Sequence, residues 1–128
     1  MSVRLHHIAL GARQVEEVAA FYRRAFELKE SARHHYEDGA LRSIWLDLSP
    51  GVLMVEHTPR MRELVEGVDA GAFLIAFAIQ PEERASVEAR LQELGARIEA
   101  QSAYTLYARD PEGNRVALSH YPLPSAGE

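Results

Sequence analysis

Cysteine is missing from all 128 residues, which rules out a disulfide framework and a thiolate nucleophile and suits a reducing compartment. Long apolar runs are missing too. The opening MSVRLHHIAL is interrupted by His6 and His7, so it is too short to read as a signal peptide, and no stretch approaches a membrane span. A cytoplasmic location is therefore expected. Positive charge is in deficit, with 14 Lys and Arg against 19 Asp and Glu and a net charge of -5. Such a surface repels phosphate backbones and anionic membranes, so neither nucleic acid nor a membrane is an expected partner. Low-complexity linkers are absent as well.

What the chain does have is a hydrophobic content of 47%, enough for one domain of this length to bury a core without staples. The reading places a single domain over residues 1–122 and a frayed tail over 123–128, where no periodic pattern continues. A first strand is predicted from Arg4 to Gly11. Val15, Val18, Ala19, Tyr22 and Phe26 then recur at helical spacing, with Glu16 and Glu17 in the first turn, where the helix dipole favours anions. The turn Glu37-Asp38-Gly39 separates two β-prone stretches, and Ser49-Pro50-Gly51 separates the second of these from a strand over Val52 to His57. Pro59 to Glu66 reads as a short helix or a structured connection, and Gly67 to Gly71 as a hinge.

From there the pattern restarts. Ala72 to Ile79 reads as a strand, and Pro81-Glu82-Glu83 opens a helix whose buried stripe is Val87, Leu91 and Leu94. Gly95 caps it, and strands follow over Ala96 to Ala100, Tyr104 to Arg109 and, after the turn Asp110-Pro111-Glu112-Gly113-Asn114, Arg115 to Tyr121. Each half is thus strand, helix, three strands. Module one covers about residues 4–58 and module two about 72–121. Internal similarity supports a duplication: the His-Ile-Ala-Leu segment at 7–10 lines up with Leu-Ile-Ala-Phe at 74–77, and the segment at 54–59 with that at 117–122.

Alternation along the strands assigns faces, because residues two apart share a side. Ile8 and Leu10, Leu53 and Val55, Ile75 and Phe77, and Val116 and Leu118 should pack under the two helices. The opposite face receives His7 and Ala9, Met54 and Glu56, Leu74 and Ala76, and Ala117 and Ser119. Those side chains are smaller and more polar. Four of them, Ala9, Ala76, Ala117 and Ser119, are too small to fill the space on neighbouring strands, which leaves concave volume suited to a small ligand.

The segments LHHIALGARQVEEVAAFY at 5–22 and YARDPEGNRVALSHYP at 107–122 resemble the opening and closing signatures of the vicinal oxygen chelate superfamily. That group includes glyoxalase I, bleomycin-resistance proteins, fosfomycin-resistance enzymes and extradiol dioxygenases. The resemblance implies an α+β fold of two tandem βαβββ modules forming an open curved-sheet cup, within a homodimer. It does not imply one reaction, since a shared fold hosts several chemistries.

The same resemblance implies metal ligands on the first and fourth strands of each module, typically histidine and glutamate. Here those positions are His7, Met54, Leu74 and Ala117. Only His7 suits a hard divalent ion, and about three protein ligands are ordinarily required. Moving Glu56 into the place of Met54 still leaves two silent positions. No metal cofactor is therefore expected.

The remaining histidines carry less weight. His34 and His35 are adjacent, so on a strand they point to opposite faces, and surface or edge positions are expected for both. His57 and His120 are repeat-equivalent and face the helix side, where they read as ordinary structural histidines, as does His6. His7 and Glu56 are candidates for a general base or a hydrogen-bonding pair inside the cup. Trp45, Tyr104 and Tyr107 lie on the third strands and offer stacking surface for a planar ligand, on faces the sequence leaves open.

The expected function is a binding protein that holds a small molecule in the cup without the family metal. Its ligand would be lined by His7, Trp45, Met54, Glu56, Leu74, Tyr107, Ala117 and Ser119. The alternative is a lyase, isomerase or dioxygenase-type enzyme acting through His7 and Glu56.

Overall fold

The computed structural model describes residues 4–122, and the expected tail over 123–128 lies outside them. The chain divides into two compact units. One runs to Leu64 and includes Asp110–Glu112, and the other holds Val65–Arg109 and the chain from Gly113 onward.

In the first unit, β1 (His7–Ala12) leads into α1 (Val15–Phe26), followed by β2 (Glu30–His35), β3 (Leu41–Asp47) and β4 (Val52–His57). The helix forms where Val15, Val18, Ala19, Tyr22 and Ala25 recur on one side, and all five are buried. Arg23 and Arg24 in its last turn balance Glu16 and Glu17 in its first. It stops at Glu27, which adopts a left-handed conformation and returns its N–H to the Arg23 carbonyl. The strands order β1-β4-β3-β2, with β1 parallel to β4 and the other pairs antiparallel. The apolar stripe of α1 covers β3 and β4, where Ile44, Leu46, Leu53 and Val55 are all but inaccessible. Each such aliphatic side chain contributes about 1.5–3 kcal/mol through burial.

Gly51 sets the start of β4. Its φ is +88°, and a Cβ there would stand 2.8 Å from the Leu5 carbonyl oxygen, so only glycine lets the chain pass this close to the segment leading into β1.

In the second unit, β5 (Ile75–Ala78) is followed by a single 3-10 turn over Pro81–Glu83 and α2 (Arg84–Glu93), then by β6 (Ala100–Gln101), β7 (Thr105–Arg109) and β8 (Arg115–Ser119). Their order, β5-β8-β7-β6, repeats that of the first sheet. The duplication read from sequence is also a duplication of register: Ala9 pairs with Met54 and Ala76 with Ala117, each across a parallel β-pair. Neither sheet closes on itself, and the architecture is α+β with two tandem modules. Among the described residues no helix is long and apolar enough to cross a membrane.

Several predicted strands are longer than the observed ones, for a reason that lies in their partners. β1 starts at His7 because β4 starts at its partner Val52, and β5 is confined to Ile75–Ala78 because β8 offers only Val116 to Ser119 opposite it. β6 shrinks to Ala100–Gln101 rather than covering Ala96 to Ala100, since only those two residues find register with β7. Residues 59–66 form no helix, and Leu94 is only half-buried, so α2 buries Val87 and Leu91 alone.

The turn at Asp110 belongs to the first unit because Tyr22 of α1 donates a 2.7 Å hydrogen bond to Asp110 Oδ2, while Oδ1 accepts the Glu112 N–H. Both side chains are buried, at 0% and 5% exposure. Burial, then the charge of Asp110 and the hydrogen bond to it, hold the Tyr22 phenol well above the ordinary value of 10.0. A pKa raised on folding contributes stability that is complete below the unfolded value and is lost as pH climbs from there toward the folded one. Tyr22→Phe should therefore cost about 1–3 kcal/mol at neutral pH and flatten the decline in melting temperature above pH 10. Thermal denaturation between pH 7 and 11 measures both, and an unchanged alkaline limb would contradict the assignment.

Candidate functional site

The face of the first sheet opposite α1 is fixed by register. Arg33 on β2 ion-pairs with Glu16 of α1 at 2.8 Å, which places Arg33 on the helix side and its neighbours Ala32 and His34 on the other. Across the sheet on that other side, one row reads Ala9, Met54, Trp45, Ala32 and the next reads Gly11, Glu56, Ser43, His34. A third row holds His7, Val52 and Asp47. Trp45 thus joins Met54 and Glu56, settling the face that the sequence left open.

Exposure varies across this surface. His7, Ala9 and Gly11 on the edge strand are exposed, Met54, Glu56, Trp45, Ala32 and His34 are half-buried, and Ser43 is buried at 1%. His7 and Glu56 do not meet. Val52 is the partner of His7 and lies four residues before Glu56 on the same strand, which separates the two rows by about 13 Å at the strand rise. The hydrogen-bonding pair expected of them is replaced by two groups at opposite ends of one face, with Ala9 and Met54 between. The His7 ring instead meets that of His6, with their Nδ1 atoms 2.9 Å apart.

Three polar atoms on this face are shielded from water and lack a hydrogen-bonding partner: His34 Nε2, Ser43 Oγ and Trp45 Nε1. The His34 and Trp45 rings lie edge to face with centroids 4.7 Å apart. An unsatisfied buried group costs about 1–3 kcal/mol, so three on neighbouring positions of one sheet face are a concentrated expense. Ser43 stands two residues before Trp45, and that spacing was a usable signal for it. The contact of His34 with the indole had none, since β2 carries irregularities on both sides of the pairing that sets its face; His34 lies on the edge strand, one of the two expected placements, but half-buried against the indole, while His35 is exposed.

The second sheet has the matching rows, Ala76, Ala117, Tyr107, Ala100 and Ala78, Ser119, Thr105, but a different finish. The Arg115 guanidinium lies 5.0 Å from the Phe73 ring centroid and 4.9 Å from that of Tyr107 and pairs with Glu99 at 3.3 Å. Arg109 reaches the same carboxylate at 3.1 Å. Tyr107 stands directly across from Ala117, and the stack it makes with Arg115 accounts for Ala117 being only 2% exposed although Ala76 is exposed. Ser119 and Thr105 share a hydrogen bond of 2.9 Å. Leu74 is half-buried, and Tyr104 lies just before β7, exposed at 43%. The histidines expected to be structural have partners: His57 Nδ1 is 3.0 Å from the Tyr36 hydroxyl, and Arg84 reaches His120 Nε2 at 3.3 Å.

As a metal centre the chain is poorly equipped. The side chains at the four positions that the resemblance implies are one imidazole, one thioether and two hydrocarbons, at His7, Met54, Leu74 and Ala117, a set that does not fit a hard divalent ion. Among the described residues no three of His, Cys, Asp or Glu are grouped to hold one.

Comparison with known proteins agrees with this architecture. A variant of the fosfomycin resistance protein FosX from Listeria monocytogenes, in complex with Mn(II) and 1S,2S-dihydroxypropylphosphonic acid, superposes with a TM-score of 0.80 at 20% identity, over 96% of each chain. FosX from Mesorhizobium loti gives 0.79 at 15% identity over 96% of this chain and 95% of that one. An integron cassette protein from the mobile metagenome of the Halifax Harbour sewage outfall gives 0.70 at 13%, over 92% and 98%. None of the curated proteins matches in sequence. The description of the Glyoxalase/Bleomycin resistance protein/Dioxygenase superfamily matches residues 4–118, and with the duplicated βαβββ register beside that match, the chain belongs to this superfamily.

Proposed function

We propose that this protein binds a small organic molecule on the small-residue face of its first sheet, as a homodimer in the cytoplasm and without a catalytic metal. The observation that carries this reading is the contrast along one surface: Ala9 and Gly11 are open to solvent, while Trp45, Met54 and Glu56 rise beside them on adjacent strands. A mostly apolar lining with a few placed polar groups is what small-molecule sites share. Leu74, Tyr107, Ala117 and Ser119 mark the equivalent face of the second sheet, where the Arg115 stack leaves less room. Met61, Leu64 and Val68 are strongly exposed, and apolar area of that kind favours a second copy of the chain as its cover.

Enzymatic turnover through His7 and Glu56 is the weaker reading, because a general base and its partner must reach one reacting atom and these two stand at opposite ends of the face. A phosphonate such as the one held by the Listeria protein is also a poor match, for the first sheet's small-residue face bears Glu56 and Asp47 and no lysine or arginine.

Native mass spectrometry of untagged protein tests the reading as a whole. The expected spectrum is a dimer carrying a small organic adduct and no stoichiometric metal after exposure to zinc, nickel, manganese or iron. A monomer, or one ion per chain lost on His7→Ala, would contradict it. Two substitutions separate open from packed surface. Ala117→Leu should cost about 1–3 kcal/mol through overpacking, whereas Ala9→Leu, at an exposed position, should leave the melting temperature nearly unchanged and abolish the adduct. A large loss of stability in Ala9→Leu would contradict the assignment of that face as open.

A further inference from the structure

Resting on that reading, we infer that the ligand is an uncharged planar ring presenting a carbonyl oxygen and an adjacent N–H, and that Trp45, Ser43 and Glu56 read the two groups. Trp45 Nε1–H donates and never accepts, and it is buried without a partner; it therefore calls for an acceptor. Ser43 Oγ, equally unpartnered on a side chain that is 1% exposed, is free to donate to the same oxygen. Glu56 faces Ser43 across the β3–β4 pair and as a carboxylate only accepts, so it calls for a donor and repels an anion. A cation would satisfy Glu56 but leave the indole N–H without an acceptor. One neutral group carrying both functions satisfies all three, and cyclic amides, imides and ureides have that arrangement. The thioether of Met54, beside Trp45 in one row between Ala9 and Ala32, gives such a ring a polarisable seat while its carbonyl meets the indole edge.

Access depends on His34. The orphaned atoms are closed to water, so the ligand enters where a side chain gives way. His34 lies on β2, the last strand of the sheet, and packs edge-on against Trp45 with its Nε2 unpartnered. Turning that ring aside uncovers the indole edge and, beside it, Ser43.

Trp45 is the single tryptophan of the chain, so its fluorescence reports on this site alone. Titration with uracil, hydantoin and succinimide, followed by calorimetry, should give a saturable change for at least one of them. Its counterpart methylated at every ring nitrogen, and so lacking any N–H donor, should bind at least about tenfold more weakly, and Ser43→Ala should weaken the unmethylated probe by a similar factor, the scale of one hydrogen bond. Because the Ser43 hydroxyl has no partner in the protein, that variant should melt no lower than the parent, which keeps a binding loss from being a folding loss. Binding of methylphosphonate in place of the cyclic probes, or equal binding of the methylated and unmethylated forms, would overturn the donor and acceptor assignment while leaving small-molecule binding standing. Silence of Trp45 toward every probe, in protein that still carries an organic adduct by mass spectrometry, would place the ligand elsewhere and overturn the inference.

Discussion

The two-residue period of a β-strand forces a division of labour that everything else follows. Once α1 claims Ile44, Leu46, Leu53 and Val55 for the core, the residues between them are committed to the opposite side, whatever their chemistry. Ser43, Trp45, Met54 and Glu56 are those residues. A one-residue slip would bury Glu56 under the helix and turn Leu53 out to solvent, so the hydrophobic requirement of the core is what holds the polar face in register. The proposed site is in this sense a by-product of packing that the chain has filled with particular side chains.

Duplication gave both sheets this division, and the two then took different courses. In the second, Arg115 spans the rings of Phe73 and Tyr107 and is tied to Glu99, with its Nε the one buried side-chain atom on that face left without a hydrogen-bonding partner among the described residues. In the first, three polar atoms find no hydrogen-bonding partner. Polar atoms buried without a hydrogen-bonding partner are where a ligand's contribution belongs.

Much of this was legible in the sequence because it rests on periodicity. The residues of the α1 stripe, the Val52–His57 strand and the common face of Ala9 and Met54 all follow from hydrophobic spacing and from the internal repeat. Strand ends did not, because the length of β1, β5 and β6 is set by the partner strand rather than by local pattern. The separation of His7 from Glu56 also escaped, since alternation reports the face a residue occupies and not how far along it lies. His34 was the least visible, its orientation depending on a register between two irregularities in β2. Tyr22 was read only as a member of an apolar stripe, yet its hydroxyl reaches a carboxylate 88 residues later, a pairing that no local pattern announces.

The most direct test of the account is a map of amide and indole resonances on adding the co-purified ligand or a cyclic imide. In the result predicted here, the shifts cluster on Ala9, Ser43, Trp45, Met54 and Glu56, with the indole N–H of Trp45 moving most, and positions facing α1 change little. Shifts confined to the second sheet, or spread over α1 and its buried partners without the indole, would contradict it.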